Sequence, residues 1–175
     1  MNVVSTSPSA TEILYAIGVE PVAVSHACDY PPEVDDKPVI DTSQIGGESS
    51  GERHAQTEAA AADGHVYSVH AERLRAADPD LIITQEVCGV CAVDTTAVDH
   101  VLSDLQSDPE VLALDANRLE DLFDCIETVG RATGHEAQAR TLVSDLRARL
   151  GAIEDRVESR ETTPSVTVIE WMDPV

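Results

Sequence analysis

Four side chains of the sequence, His26, Cys28, Cys88 and Cys91, carry soft or borderline donor atoms at spacings that could hold a metal. His26 and Cys28 are two residues apart, and Cys88 and Cys91 are three apart, which is chelating spacing for a pair of thiolates. If a fold brought the two segments to one rim, an imidazole and three thiolates could close a tetrahedral zinc site, or hold iron or an iron-sulfur centre. The same Cys-x-x-Cys could instead cycle between dithiol and disulfide. Asp29, Tyr30, Gln85 and Glu86 stand beside these cysteines and could hydrogen-bond or stack on a ligand. Ser7 and Ser9 precede an apolar run and could present hydroxyls and free amides to a carboxylate or phosphate. Cys125 falls on an apolar stripe, one residue before Ile126, and reads as core packing.

Such residues need elements that place them. Residues 2–5 read as a short buried strand, and Ser9 with Glu12 has the form of a capping box opening a helix that Gly18 can close. Residues 21–25 form a second strand and 37–40 a third. Residues 41–51 are polar and rich in Gly and Ser, as in a loop. An Ala-rich helix follows over 52–62, an extended segment over 66–69 and a short helix over 71–77. The unbroken apolar run 80–84 suits the centre of a parallel sheet. Val98, Val101, Leu102 and Leu105 mark an amphipathic helix, 111–114 a strand, and Leu119, Leu122, Phe123, Ile126 and Val129 another helix. A long periodic helix over 135–159 precedes a last strand over 166–171.

Strands and helices that alternate with short connections imply an α/β fold, Rossmann-like, with a parallel sheet covered by helices on both faces. Ligands bind such sheets at the C-terminal ends of the strands. Here those ends carry residues 5–9, 25–30 and 85–91, so the polar and sulfur-bearing side chains converge on one rim.

The composition fits. A 42% hydrophobic and 25% charged chain of 175 residues has the makeup of one globular domain rather than of a disordered segment. Its 33 acidic residues against 11 basic ones leave a formal net charge of −22, and the only lysine is Lys37. Such a surface repels itself at low ionic strength, whereas molar salt shortens the Debye length to about 3 Å, so the composition points to a salt-adapted, halophilic source. With no basic cluster to neutralise phosphates, binding to nucleic acid is not expected. No stretch approaches the ~20 apolar residues of a membrane helix, and residues 1–5 do not read as a secretory signal. Nor is there a Gly-x-Ser-x-Gly elbow, a Walker loop or a dinucleotide fingerprint, so an enzyme is not expected.

The chain resembles the periplasmic binding proteins that deliver cobalamin, haem and iron siderophores to ABC importers. The resemblance rests on the opening strand followed by Ser7-Pro8-Ser9-Ala10-Thr11-Glu12-Ile13-Leu14 and Gly18, on Asp78-Pro79-Asp80-Leu81-Ile82-Ile83, and on the long helix before a new strand. Motifs such as Ser25-His26-Ala27-Cys28-Asp29-Tyr30-Pro31, Cys88-Gly89-Val90-Cys91 and Glu170-Trp171-Met172-Asp173-Pro174 resemble a branch often labelled cobalamin-binding. The resemblance implies an N-terminal ligand-binding lobe over 1–134, a connecting backbone helix over 135–160, and over 161–175 the start of a truncated second lobe. It implies a corrinoid or iron chelate held in an inter-lobe cleft, with Trp171 facing that cleft, and ABC permease and ATPase subunits as partners. An extracytoplasmic location follows from the family; a cytoplasmic metal-binding or thiol-redox protein using His26, Cys28, Cys88 and Cys91 on the same scaffold is the alternative.

Overall fold

The computed structural model describes residues 1–46, 49–63, 66–86, 93, 95–102, 105, 107–160 and 162–168. The order of elements is β1 (Val3–Ser5), α1 (Pro8–Ala16), β2 (Ala23–Val24), a 3-10 turn (Pro32–Asp36), β3 (Asp41–Ser43), α2 (Ser50–Asp63), β4 (Tyr67–Val69), α3 (Ala71–Ala77), β5 (Leu81–Gln85), α4 (Thr95–Leu102), β6 (Glu110–Leu114), α5 (Leu119–Thr133) and α6 (Glu136–Glu158). Strands β2, β1, β5 and β6 form a parallel sheet in that spatial order.

Alternation along the strands sends successive side chains to opposite faces, and each face has its own core. Val3, Leu81, Ile83 and Leu114 pack with Leu14 and Ile17 of α1, with Phe123, Ile126 and Val129 of α5, and with Ala139 and Val143 of α6. Val4 and Ile82 face the other way, onto Ala23, Ile40, Leu74, Val93 and Val98. Both faces are therefore covered, as an all-parallel sheet requires.

Three features depart from the sequence reading. The N-cap of α1 is Ser7, whose Oγ accepts from the Ala10 N–H, and Pro8 takes the first helical position. A proline there loses no helical hydrogen bond, so the helix starts two residues before the Ser9–Glu12 box. Residues 37–40 contribute only a single parallel bridge, Val39 to Val24, and the third strand is Asp41–Ser43, within the segment read as loop. It pairs antiparallel with β4, Asp41 opposite Val69, as a separate two-stranded ribbon. Residues 162–168 are exposed and carry no strand. Extended backbone leaves its N–H and C=O groups unpaired unless a neighbouring strand takes them, and none among the described residues does.

Gly134 closes α5 in the left-handed conformation, φ 73°, and the chain turns at once into α6. The two helices cross closely at Gly130, where a Cβ would overlap that of Ala139. Beyond Leu150, α6 runs on through Ala152–Glu158 with every side chain exposed.

Candidate functional site

The chain leaves β1 for β2 on one side and later places β5 on the other. The strand order therefore reverses at β1, and α1 begins in the crevice this opens at the C-terminal edge. A band of buried polar residues lines that edge: Ser5, Thr6, Ser7, Thr11, Ser25, Asp41 and Thr84. Burying so many polar groups is tolerated only where they satisfy one another. Thr11 Oγ1 donates to Ser5 Oγ at 2.7 Å, and Ser5 Oγ donates to the Ser7 carbonyl at 3.1 Å. The hydroxyls of Thr6 and Thr84 both donate to the carbonyl of Val93, at 3.1 and 2.8 Å.

Toward the β2 side lies the most constrained group of the edge. The Asp41 side chain is fully buried. Its Oδ1 accepts from the His26 backbone N–H at 2.7 Å, and its Oδ2 accepts from Ser25 Oγ at 2.8 Å and faces His26 Nδ1 at 3.0 Å. Opposite a carboxylate oxygen, Nδ1 carries the proton and donates. The imidazole also leans on Tyr67, ring centroids 5.6 Å apart and planes tilted by 42°. A third of the His26 side chain remains exposed.

Cys28 sits beneath this group rather than beside it. Its sulfur is 3.1 Å from Thr11 Oγ1 within a small apolar cluster with Val24 and Val34. Burial pushes its thiol above the ordinary value, so the thiolate that a metal or redox role needs is disfavoured. Cys125 is buried as the stripe implied, and burial raises its thiol too. Among the described residues no three of His, Cys, Asp and Glu gather as a metal-ligand set. Cys88, Cys91 and Trp171 lie outside the described residues.

Toward the β6 side the edge opens into a cavity of about 620 Å³ lined by Ser9, Ile13, Gln85, Asn117, Leu122 and Cys125, among others. Its lining is mostly apolar, with Ser9, Gln85, Asn117 and Arg118 as polar points, the usual make-up of a small-molecule site. Ser7 is buried and occupied as the helix cap; Ser9 is exposed. Glu86 is exposed, and its backbone N–H donates to the Leu114 carbonyl at 3.0 Å. Tyr30, 61% exposed, instead flanks a separate hollow of about 420 Å³ with Glu12, Tyr15 and Glu33. Asp29 is exposed on the same loop, whose Tyr30–Pro31 peptide is cis. The structure thus brings His26, Ser7, Ser9, Gln85 and Glu86 to one edge and turns Tyr30 aside.

Sequence reasoning missed Asp41 and Tyr67. Asp41 follows the apolar pair Val39-Ile40 at the head of a segment that reads as loop, and nothing local marks it as the partner of His26, fifteen residues away. Tyr67 carries no local signal either, because its place beside His26 depends on the antiparallel pairing of Tyr67–Val69 with Asp41–Ser43.

A parallel sheet covered on both faces, with a polar edge that opens on a mostly apolar cavity, is an α/β fold able to take a small molecule at its strand ends. The periplasmic binding protein family model matches residues 3–174, and the chain belongs to that family. Solved structures agree on the fold. The periplasmic haem-binding protein BhuT, in complex with two haems, is 19% identical with a TM-score of 0.64, over 91% of this chain and 51% of that one. A possible iron-binding (periplasmic solute-binding) protein from Staphylococcus epidermidis is 25% identical with a TM-score of 0.66, over 91% and 52%. Staphylococcus aureus IsdE, complexed with haem, is 16% identical with a TM-score of 0.61, over 93% and 52%. The chain spans about half the length of these structures. No curated protein matches.

Proposed function

We propose that the chain supplies the first lobe of the substrate-binding component of an ABC importer, and that its sheet edge is one wall of a cleft for a metal chelate: haem, a ferric siderophore or a corrinoid. Family membership over residues 3–174, combined with a polar edge at the strand ends, carries the reading. The solved relatives hold haem, as BhuT and IsdE do, or a siderophore complex, as BauB does with acinetobactin and ferric iron. Members of the family bind ligands without transforming them, so no chemical step is assigned. In this reading α6 is the connecting helix, residues 161–175 lead into a second lobe, the protein works outside the cytoplasm, and permease and ATPase subunits receive its cargo. No helix among the described residues is long and apolar enough to cross a membrane. The corrinoid is the cargo favoured by the sequence motifs. The cytoplasmic thiol-redox alternative draws no support from the comparisons or from the buried Cys28.

The test is a titration of the purified chain, in molar salt, with hemin, aquocobalamin and a ferric siderophore, followed by absorbance and calorimetry. Saturable one-to-one binding of any of the three supports the reading. Absence of binding to all three would refute it.

A further inference from the structure

We infer that Asp41 is a positioning residue that fixes the His26 imidazole so that its Nε2 serves as a single axial donor to the metal of a planar tetrapyrrole complex. The inference rests on the chelate-binding reading above and narrows its ligand class.

The carboxylate of Asp41 is unusual in gripping one residue at two points. Oδ1 takes the backbone N–H of His26 at 2.7 Å and Oδ2 takes its ring Nδ1 at 3.0 Å. With Ser25 Oγ at 2.8 Å as a third donor and no solvent exposure, the carboxylate has no freedom to turn. The ring is held at its inner nitrogen and leans on Tyr67 at 5.6 Å. The other nitrogen, Nε2, lies across the ring from Nδ1, and it has no partner among the described residues. With Nδ1 turned to a carboxylate, the imidazole keeps Nε2 as the nitrogen left for a metal, the arrangement in which outer-shell carboxylates orient metal-ligating histidines.

One nitrogen cannot hold a free metal ion, and no set of three protein ligands exists among the described residues. The metal must arrive with its own equatorial ligands and an axial position open to imidazole. Haem and corrinoids meet that condition. A ferric chelate whose own donors fill the octahedron does not, and would gain nothing from Nε2.

The test compares the wild-type chain with His26→Ala and Asp41→Asn, using hemin and metal-free protoporphyrin IX as probes. For the wild type, hemin is expected to bind with the absorption and electron paramagnetic resonance signature of imidazole ligation, and at least ~10-fold more tightly than protoporphyrin. In His26→Ala that signature should vanish, hemin and protoporphyrin should bind alike, and added free imidazole should restore the signature. Asp41→Asn should keep the signature and weaken hemin about 10- to 100-fold. Should Asp41→Asn fail to fold, His26→Ala and imidazole rescue decide alone. Hemin binding with a spectrum and affinity unchanged by His26→Ala overturns the inference while leaving the chelate reading standing. Binding of a saturated ferric siderophore but of neither hemin nor aquocobalamin overturns it too, again without touching that reading. Binding of none of the chelates overturns both.

Discussion

The carboxylate of Asp41 holds His26 twice, by its backbone N–H at 2.7 Å and by its ring nitrogen at 3.0 Å. Two residues fifteen apart in sequence thereby tie the end of β2 to the start of β3 and join the antiparallel ribbon to the main sheet.

That junction depends on every donor being present. Ser25→Ala removes the third donor from a fully buried carboxylate. We expect a loss of about 1–3 kcal/mol. A urea titration should show a lower midpoint with an unchanged slope; a midpoint within error of wild type would mean that the carboxylate is satisfied without Ser25.

Cys28 and Cys125 are protected by burial, which raises both thiols above the ordinary 9.0. Their alkylation at pH 8 should be far slower in the folded chain than in urea, read peptide by peptide by mass spectrometry. The linkage has a definite sign. The folded state holds these protons more tightly, so this contribution to stability is intact below pH 9.0 and is lost as pH rises from there through the raised native values.

The α5–α6 crossing gives a paired prediction. Gly130→Ala forces its new methyl onto Ala139 and should cost about 1–3 kcal/mol. Gly151→Ala, on the same helix as Ala139 but with open space around it, should instead stabilise by roughly 0.5–1 kcal/mol. Thermal midpoints moving in the same direction for both variants would contradict the packing described.

The net charge of −22 predicts a steep salt response. Raising KCl from 0.1 to about 2 M should raise the thermal midpoint, because screening removes self-repulsion among carboxylates. A flat or falling midpoint would show that the acidic surface carries no such penalty.

Much of the scaffold was legible in the sequence because its signals are local. The run Leu81-Ile82-Ile83 and the stripe Leu122, Phe123, Ile126, Val129 announce their elements without knowledge of any partner. The antiparallel ribbon was not legible: Asp41-Thr42-Ser43 is polar and three residues long, and it is a strand only because Tyr67–Val69 lies alongside. The same non-local pairing hid Asp41, whose role depends on the loop after β2. His26 was found by its type and spacing, whereas the carboxylate that aims it could be found only in three dimensions. Cys28 shows the converse, since its spacing from His26 resembles a ligand pair while its sulfur turns inward to Thr11.

Helix α6 is gripped along its first half by α5 and stands bare over Ala152–Glu158. Backbone amides near Ala139 and Val143 can then exchange with deuterium only when the whole domain opens, whereas those past Gly151 need no more than fraying of the final turns. One continuous helix should consequently show two exchange regimes, slow at its N-terminal end and fast at the other, with the break falling near Leu150.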